Sequence, residues 1–322
     1  MLILANYSYH RPAAIEEAWR LLEEEGSVII AGGSDVMPQL KTAVIKPKAL
    51  VDLAGIEELR RVEEQEDGIH IGSMAVLSHL AKNPLILEKV PAVSQAARNV
   101  ASPQIRSRAT IGGNLLQARR CFYYNQTKEW RKGIPLCYKV GGDRCIQIPN
   151  SPVCRAIYYS DLAPVLLACE ALAVVRTADG EKRISCRELV EAHCRDQDEK
   201  MLVREFVIPK EKLEDSWGGF RKYSLRGSID FPMINFACWY QPGQVRLTAG
   251  AIATKVLELE DTERYLTDQG KGFQVSEAVE LAQGEMKKKS QIIREAGISV
   301  TVKRETFLFV EELLEQLKKA IQ

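Results

Sequence analysis

Half of the chain's eight cysteines fall within residues 115–160, at Cys121, Cys137, Cys145 and Cys154. Four thiols in one such stretch limit what the chain can build there more than any periodic pattern does. Their spacings are 16, 8 and 9 residues. Structural zinc sites usually pair their ligands in knuckles only a few residues apart, and no pair here is that close. Wide spacing suits a larger cluster wrapped by a loop, and thiolates are the usual ligands of 4Fe–4S centres. Zinc and unligated thiols stay open as alternatives. Disulfides fit poorly. The start, MLILANYSYHRPAAIEEAWRLL, has neither the basic n-region nor the long apolar h-region of a signal peptide. A non-secreted, cytoplasmic chain keeps its thiols reduced.

The 322 residues suffice for two or three domains. A hydrophobic share of 46%, a charged share of 27% and a net charge of +1 describe a soluble globular protein. Nothing in them selects nucleic acid or a membrane as partner, and no apolar run approaches the length of a membrane span. Helical periodicity over 14–25 precedes a short buried strand at 27–31 and another at 50–53, giving an α/β unit over about 1–57. A second unit, 58–215, opens with a strand at 68–72 and has helices near 75–81, 91–98 and 163–168. Its later strands are expected at 171–175 and 206–209. A polar linker over 210–218 leads to a third unit, 216–322. Strands near 220–226, 233–240 and 244–252 are followed there by helices near 261–268, 275–284 and 305–320. The expected class is α+β. Residues 115–160 interrupt the second unit, and a loop of that length inside a compact domain is normally functional.

Two diglycine turns flank the remaining chemistry. Ile29-Ile30-Ala31-Gly32-Gly33-Ser34-Asp35-Val36 reads as a strand feeding a tight turn, whose clustered backbone N–H groups can hold a pyrophosphate without cationic side chains. An ordinary strand–turn–helix corner is the competing reading. The pattern is not G-x-G-x-x-G, so a Rossmann nucleotide site is not indicated. Thr110-Ile111-Gly112-Gly113-Asn114 adds a second such turn with a hydroxyl and an amide on its shoulders. The cysteine-bearing stretch is basic, with Arg119, Arg120, Lys128, Arg131, Lys132, Lys139, Arg144 and Arg155 against Glu129 and Asp143. These charges suit neutralisation of a thiolate-bound cluster, or docking of an acidic electron carrier. Cys169, Cys186, Cys194 and Cys238 read as small buried residues. No catalytic triad, HExxH or P-loop is present, and the four histidines are not spaced as ligands.

In order along the chain, AGGSDVMPQLK, TIGGN, SDLAP and FRKYSLRGSIDFP resemble the flavin-binding subunit of the molybdenum hydroxylases, the xanthine dehydrogenase and carbon monoxide dehydrogenase family. The resemblance implies a two-part FAD-binding domain of the vanillyl-alcohol-oxidase type and a C-terminal α+β domain closing over the isoalloxazine. It carries flavin contacts onto residues 29–36, Val100, residues 110–114, Asp161, Val203 and Lys222; Val100 and Val203 lie outside any motif. The family usually passes from the GGN motif to the SDL motif in a short turn, whereas residues 115–160 separate them here. A cysteine-bearing insert at this point resembles two branches, the β subunit of 4-hydroxybenzoyl-CoA reductase and a bacterial periplasmic aldehyde oxidoreductase. The insert's wording is most like the reductase. That likeness implies one 4Fe–4S cluster on the four cysteines and an electron-transfer role with no catalytic residue on this chain. It further implies a molybdopterin-binding large subunit and a 2Fe–2S small subunit in an (αβγ)2 assembly, with reduced ferredoxin as donor. The same subunit of an aldehyde or N-heterocycle molybdenum hydroxylase, running electrons outward, is the alternative within the class, and a zinc-stabilised binding module on the same fold is the alternative of another class.

Overall fold

The computed structural model describes residues 6–195, 200–227, 229–292 and 298–322. Met1–Ala5 of the first unit and Ser228 of the FRKYSLRGSIDFP motif lie outside them. The strands form three sheets, and each sheet draws all its strands from one of the three ranges above. The first is parallel: β1 (Ser8–His10), β2 (Ser27–Ile30) and β3 (Ala49–Asp52) lie in the order β1-β3-β2. The helix Ile15–Glu23 makes the crossover, burying Ile15, Ala18, Trp19 and Leu22 at the spacing of one helical face. That stripe packs on Val51 and Leu53.

The second sheet has the order β4-β5-β8-β6-β7, formed by β4 (Val62–Gln65), β5 (Gly68–Gly72), β6 (Leu172–Thr177), β7 (Gly180–Ser185) and β8 (Leu202–Pro209). All its pairings are antiparallel. The third is an antiparallel meander of β9 (Trp217–Tyr223), β10 (Ile234–Gln241), β11 (Gln244–Gly250) and β12 (Leu257–Glu258). The helices Glu260–Gln269, Val275–Lys289 and Val310–Ile321 cover it and share its core. Between the second and third units lies the helix Leu162–Ala168, buried on every side. An all-round apolar helix is the pattern of an element with neighbours on all faces.

Several elements depart from the sequence expectation. β4 was missed because Val62-Glu63-Glu64-Gln65 is a charged edge strand, whose polarity protects an open edge and hides the strand in composition. β7 and the helix Cys186–Cys194 were missed although Ser185 and Glu188 form a reciprocal capping box at its start. The segment 210–218 is not a plain linker: a 3-10 turn at Lys210–Lys212 is followed by β9 from Trp217. The last expected helix, near 305–320, divides into a 3-10 turn at Thr306–Phe309 and Val310–Ile321, and a further short helix, Val300–Glu305, precedes it. Among the described residues no helix is long and apolar enough to cross a membrane.

The insert contains only a helical turn at Lys128–Arg131 and a 3-10 turn at Tyr138–Val140. Its neck is defined, however. Arg120 N–H donates to the Ile157 carbonyl at 2.8 Å, and Ile157 N–H donates back to Arg120 at 2.8 Å. Residues 121–156, with all four cysteines, therefore leave and rejoin the domain at adjacent points.

Candidate functional site: a glycine-lined cleft beside a cysteine cage

β2 runs into the first diglycine turn, and the second turn starts the short helix Ile111–Leu115. The two turns meet at Gly32, where an added Cβ would lie 1.8 Å from the Arg108 carbonyl oxygen. Gly33 has φ +74°, the left-handed region, with ordinary space around it. A solvent-open cleft of about 730 Å³ follows, lined by Ile29, Ala31–Val36, Leu53, Ser73, Met74, Thr110, Gly112, Gly113, Leu116 and Val203. Among the described residues the amides of Gly32, Gly33 and Ser34 have no protein acceptor. The buried hydroxyl of Ser73, on the cleft wall, has no partner either. Three free amides in a turn and an unpaired hydroxyl form a cradle for anionic oxygens.

The two glycines of the first turn should therefore fail differently. Gly32→Ala is expected to cost roughly 1–3 kcal/mol of stability by overpacking, seen as a lower urea midpoint. Gly33→Val, which forces a β-branched residue to φ +74°, is expected both to strain the turn and to yield flavin-poor protein, checked by the urea midpoint together with the ratio of flavin absorbance to protein after purification.

Of the other expected contact residues, Ile30 is paired with Asp52 in the first sheet, and Ile111 is fully buried. Asn114 accepts from Ser160 Oγ at 2.7 Å and Leu162 N–H at 3.1 Å, so it ties the GGN turn to the SDL turn from behind the cleft. Asp161 and Lys222 form a separate group, and Val100 is buried in the core of the second unit. Lys222 Nζ lies 2.9 Å from Asp161 Oδ2 and donates to the Asn99 carbonyl at 2.8 Å. Asn235 Nδ2 donates to Asp161 Oδ1 at 2.9 Å. Burial pushes the Asp161 carboxyl up, opposed by Lys222 and Asn235. Leu53, Ser73, Met74 and Leu116 line the cleft without any sequence signal, because they come from positions that only the packed fold brings there.

Asp35 faces away from a free-ligand role. Its carboxylate accepts from Gln39 Nε2 at 2.8 Å and from Ala118 N–H at 3.0 Å, and it pairs with Arg120. Beyond the neck, Cys121, Cys137, Cys145 and Cys154 all line one small cavity, with Tyr123, Tyr124, Tyr138 and Ile146. All four are free thiols. Burial raises the Cys121 thiol, the amides of Tyr124 and Tyr123 oppose this at its sulfur, and nearby Cys154 and Cys145 add to it. Among the described residues no three His, Cys, Asp or Glu side chains stand in the arrangement of a single-ion site. Neither the zinc nor the cluster reading of the quartet gains from this geometry.

Most of the insert's cations have internal duties. Arg119 is buried, Arg120 holds Asp35, Arg131 donates to the Ala43 carbonyl at 2.8 Å, and Lys139 lies over the Tyr124 ring. Arg144 pairs with Asp143, and Arg155 donates to Ser151 Oγ at 2.6 Å. Lys128 and Lys132 are exposed. The eight-cation docking face read from composition is therefore much smaller on the folded surface.

Residues 5–211 match the family described as the FAD binding domain in molybdopterin dehydrogenase. The chain belongs to that family of FAD-binding domains. The carbon monoxide dehydrogenase medium chain of Hydrogenophaga pseudoflava is 35% identical over 116 residues, 35% of this chain and 40% of that protein. The aldehyde oxidoreductase FAD-binding subunit PaoB of Escherichia coli (strain K12) is 27% identical over 259 residues, 75% of this chain and 80% of that protein. The matched stretch spans about two-fifths of the first curated relatives, at 40%, 38% and 39% of their lengths. Among solved structures, the carbon monoxide dehydrogenase of Hydrogenophaga pseudoflava superposes with a TM-score of 0.78 at 21% identity, covering 99% of this chain and 100% of that one. Quinoline 2-oxidoreductase from Pseudomonas putida 86 gives a TM-score of 0.74 at 18% identity, covering 99% of this chain and 100% of that one. These superpositions establish that this FAD-binding-domain chain has the same mixed α/β fold from end to end.

Proposed function

We propose that this chain is the FAD- and 4Fe–4S-carrying electron-transfer subunit of a molybdenum enzyme, working beside a molybdopterin-binding large subunit and a 2Fe–2S small subunit. The observation that carries this reading is the attachment of a four-thiol cavity to the glycine-lined cleft through Asp35 and the Ala118–Arg120 segment. The cleft fits FAD, since the amides of Gly32, Gly33 and Ser34 and the Ser73 hydroxyl are free to donate to its phosphate oxygens. The cage fits a cluster in its chemistry, since four cysteines line one cavity and thiolates are the usual cluster ligands. The Tyr123 and Tyr124 amides at the Cys121 sulfur match the hydrogen bonds that tune cluster potentials. When bound, the two groups would supply electron-transfer chemistry; the protein's part is to hold, orient and shield them.

Within the family, the insert's residues Arg120-Cys121-Phe122-Tyr123-Tyr124-Asn125-Gln126 and Gly142-Asp143-Arg144-Cys145 favour 4-hydroxybenzoyl-CoA reductase, which removes a phenolic hydroxyl with electrons from reduced ferredoxin. The 259-residue match to an aldehyde oxidoreductase subunit favours an aldehyde-oxidising enzyme as the second reading. The intact complex should separate them. Reduced viologen with 4-hydroxybenzoyl-CoA is expected to give benzoyl-CoA; turnover of aldehydes alone would select the second reading. In the purified subunit, iron and acid-labile sulfide near four each per FAD are expected, and zinc in their place would favour the zinc-stabilised binding module.

If an acidic carrier docks at the insert, Lys128 and Lys132 steer it; Arg144, also exposed, has its charge offset by Asp143. Screening shortens from about 10 Å at 0.1 M salt to about 3 Å at 1 M, so carrier-dependent reduction should slow with salt while viologen reduction does not. Lys128→Glu with Lys132→Glu should lower the association rate without changing iron content. Unchanged stopped-flow rates in that double variant would place docking on another face.

A further inference from the structure

The short helix Val36–Lys41 starts at the first diglycine turn and is held at both ends by the insert. At its start, the Asp35 carboxylate takes Ala118 N–H at 3.0 Å and pairs with Arg120, the residue that closes the neck. At its far end, Arg131 Nη2 donates to the Ala43 carbonyl at 2.8 Å and to the Thr42 carbonyl at 3.4 Å. Ala43 has φ +51°, a left-handed conformation that an alanine rarely adopts without outside support. Arg131 closes the helical turn Lys128–Arg131, midway between Cys121 and Cys137 in sequence. A cage ordered around its four sulfurs therefore fixes Arg120 and Arg131, and they fix the helix that follows the turn presenting the free amides of Gly32, Gly33 and Ser34.

From this geometry we propose that Arg120 and Arg131 are positioning residues that couple the two sites, so that a filled cysteine cage raises FAD affinity and bound FAD protects the cage. The proposal rests on the FAD and cluster assignments above and goes beyond them, since either group could bind independently of the other. Coupling between sites is reciprocal in binding free energy. The contacts are specific: one guanidinium nitrogen of Arg131 reaches two successive carbonyls, and Arg120 supplies both a backbone pair at the neck and a side-chain pair at the turn.

The test uses the full chain freed of FAD, with and without reconstituted iron–sulfur, titrated with FAD and read by quenching of flavin fluorescence. In wild type, removal of iron should weaken FAD binding by about 5- to 150-fold, the usual span for coupled sites. Arg131→Ala should shrink that ratio toward one while retaining iron, and Arg131→Lys should restore part of it. Arg120→Gln provides a second, independent break should the alanine variant fold poorly. A wild-type FAD affinity that ignores iron content overturns the proposal, as does an undiminished ratio in both Arg131→Ala and Arg120→Gln. A wild-type chain that takes up no FAD or no iron is a different result: it removes the functional reading, and this proposal with it.

Discussion

Serine at any one of Cys121, Cys137, Cys145 or Cys154 is expected to bring iron to well under four per FAD. The four sulfurs line a single cavity, so no neighbouring thiol is spare to replace a lost ligand. The chain's other cysteines, Cys169, Cys186, Cys194 and Cys238, are buried elsewhere in the cores of the second and third units. Burial pushes the Cys169 thiol up to about 12, which marks it as an inert packing group. Cys169→Ser is accordingly the control: iron should stay, with only a packing cost. Iron and sulfide analysis of the five purified variants decides the matter, and full iron retention in all four cage variants would refute the cluster.

Removing the charge of Lys222 should give the largest change in stability. Its side chain is 5% exposed and that of Asp161 4% exposed. With Lys222→Met, the Asp161 carboxylate keeps only Asn235 as a partner inside a dry junction between the second and third units. Stranding a buried charge costs about 3–5 kcal/mol. The double variant Asp161→Leu with Lys222→Met should recover much of that loss, because replacing a buried pair by apolar groups is often near neutral. Urea unfolding of the single and double variants reads both. A single variant as stable as wild type would mean that the pair is wetter than its surroundings indicate.

These two sites also show what a sequence can convey about such a chain. The diglycine turns were legible because glycine reports backbone geometry directly: Gly33 needs its positive φ, and Gly32 allows a neighbouring carbonyl to approach. The cysteines were legible because thiols are scarce and their confinement to one loop survives any folding. Ser73 and Met74 carry no such mark; they reach the cleft only because β5 delivers the chain there. Charge was the least readable property. Composition counted Arg131 as a surface cation, whereas the fold uses it to hold two carbonyls more than 80 residues earlier. The opposite error hid β4, whose glutamates looked like loop and are an exposed edge. Periodicity reports burial faithfully, so the core helices and strands were found within a few residues, while elements stabilised by caps and edges were not.

The paired amides of Arg120 and Ile157 make the insert interchangeable. Because its two ends leave the domain side by side, the surrounding fold meets the same short gap whether a tight turn or residues 121–156 bridge it. Closure entropy grows only by about 0.6 kcal/mol for each doubling of loop length. A lineage can therefore gain or shed residues 121–156 at this position with little effect on the stability of the FAD-binding scaffold, which makes the neck a natural place for the family to vary.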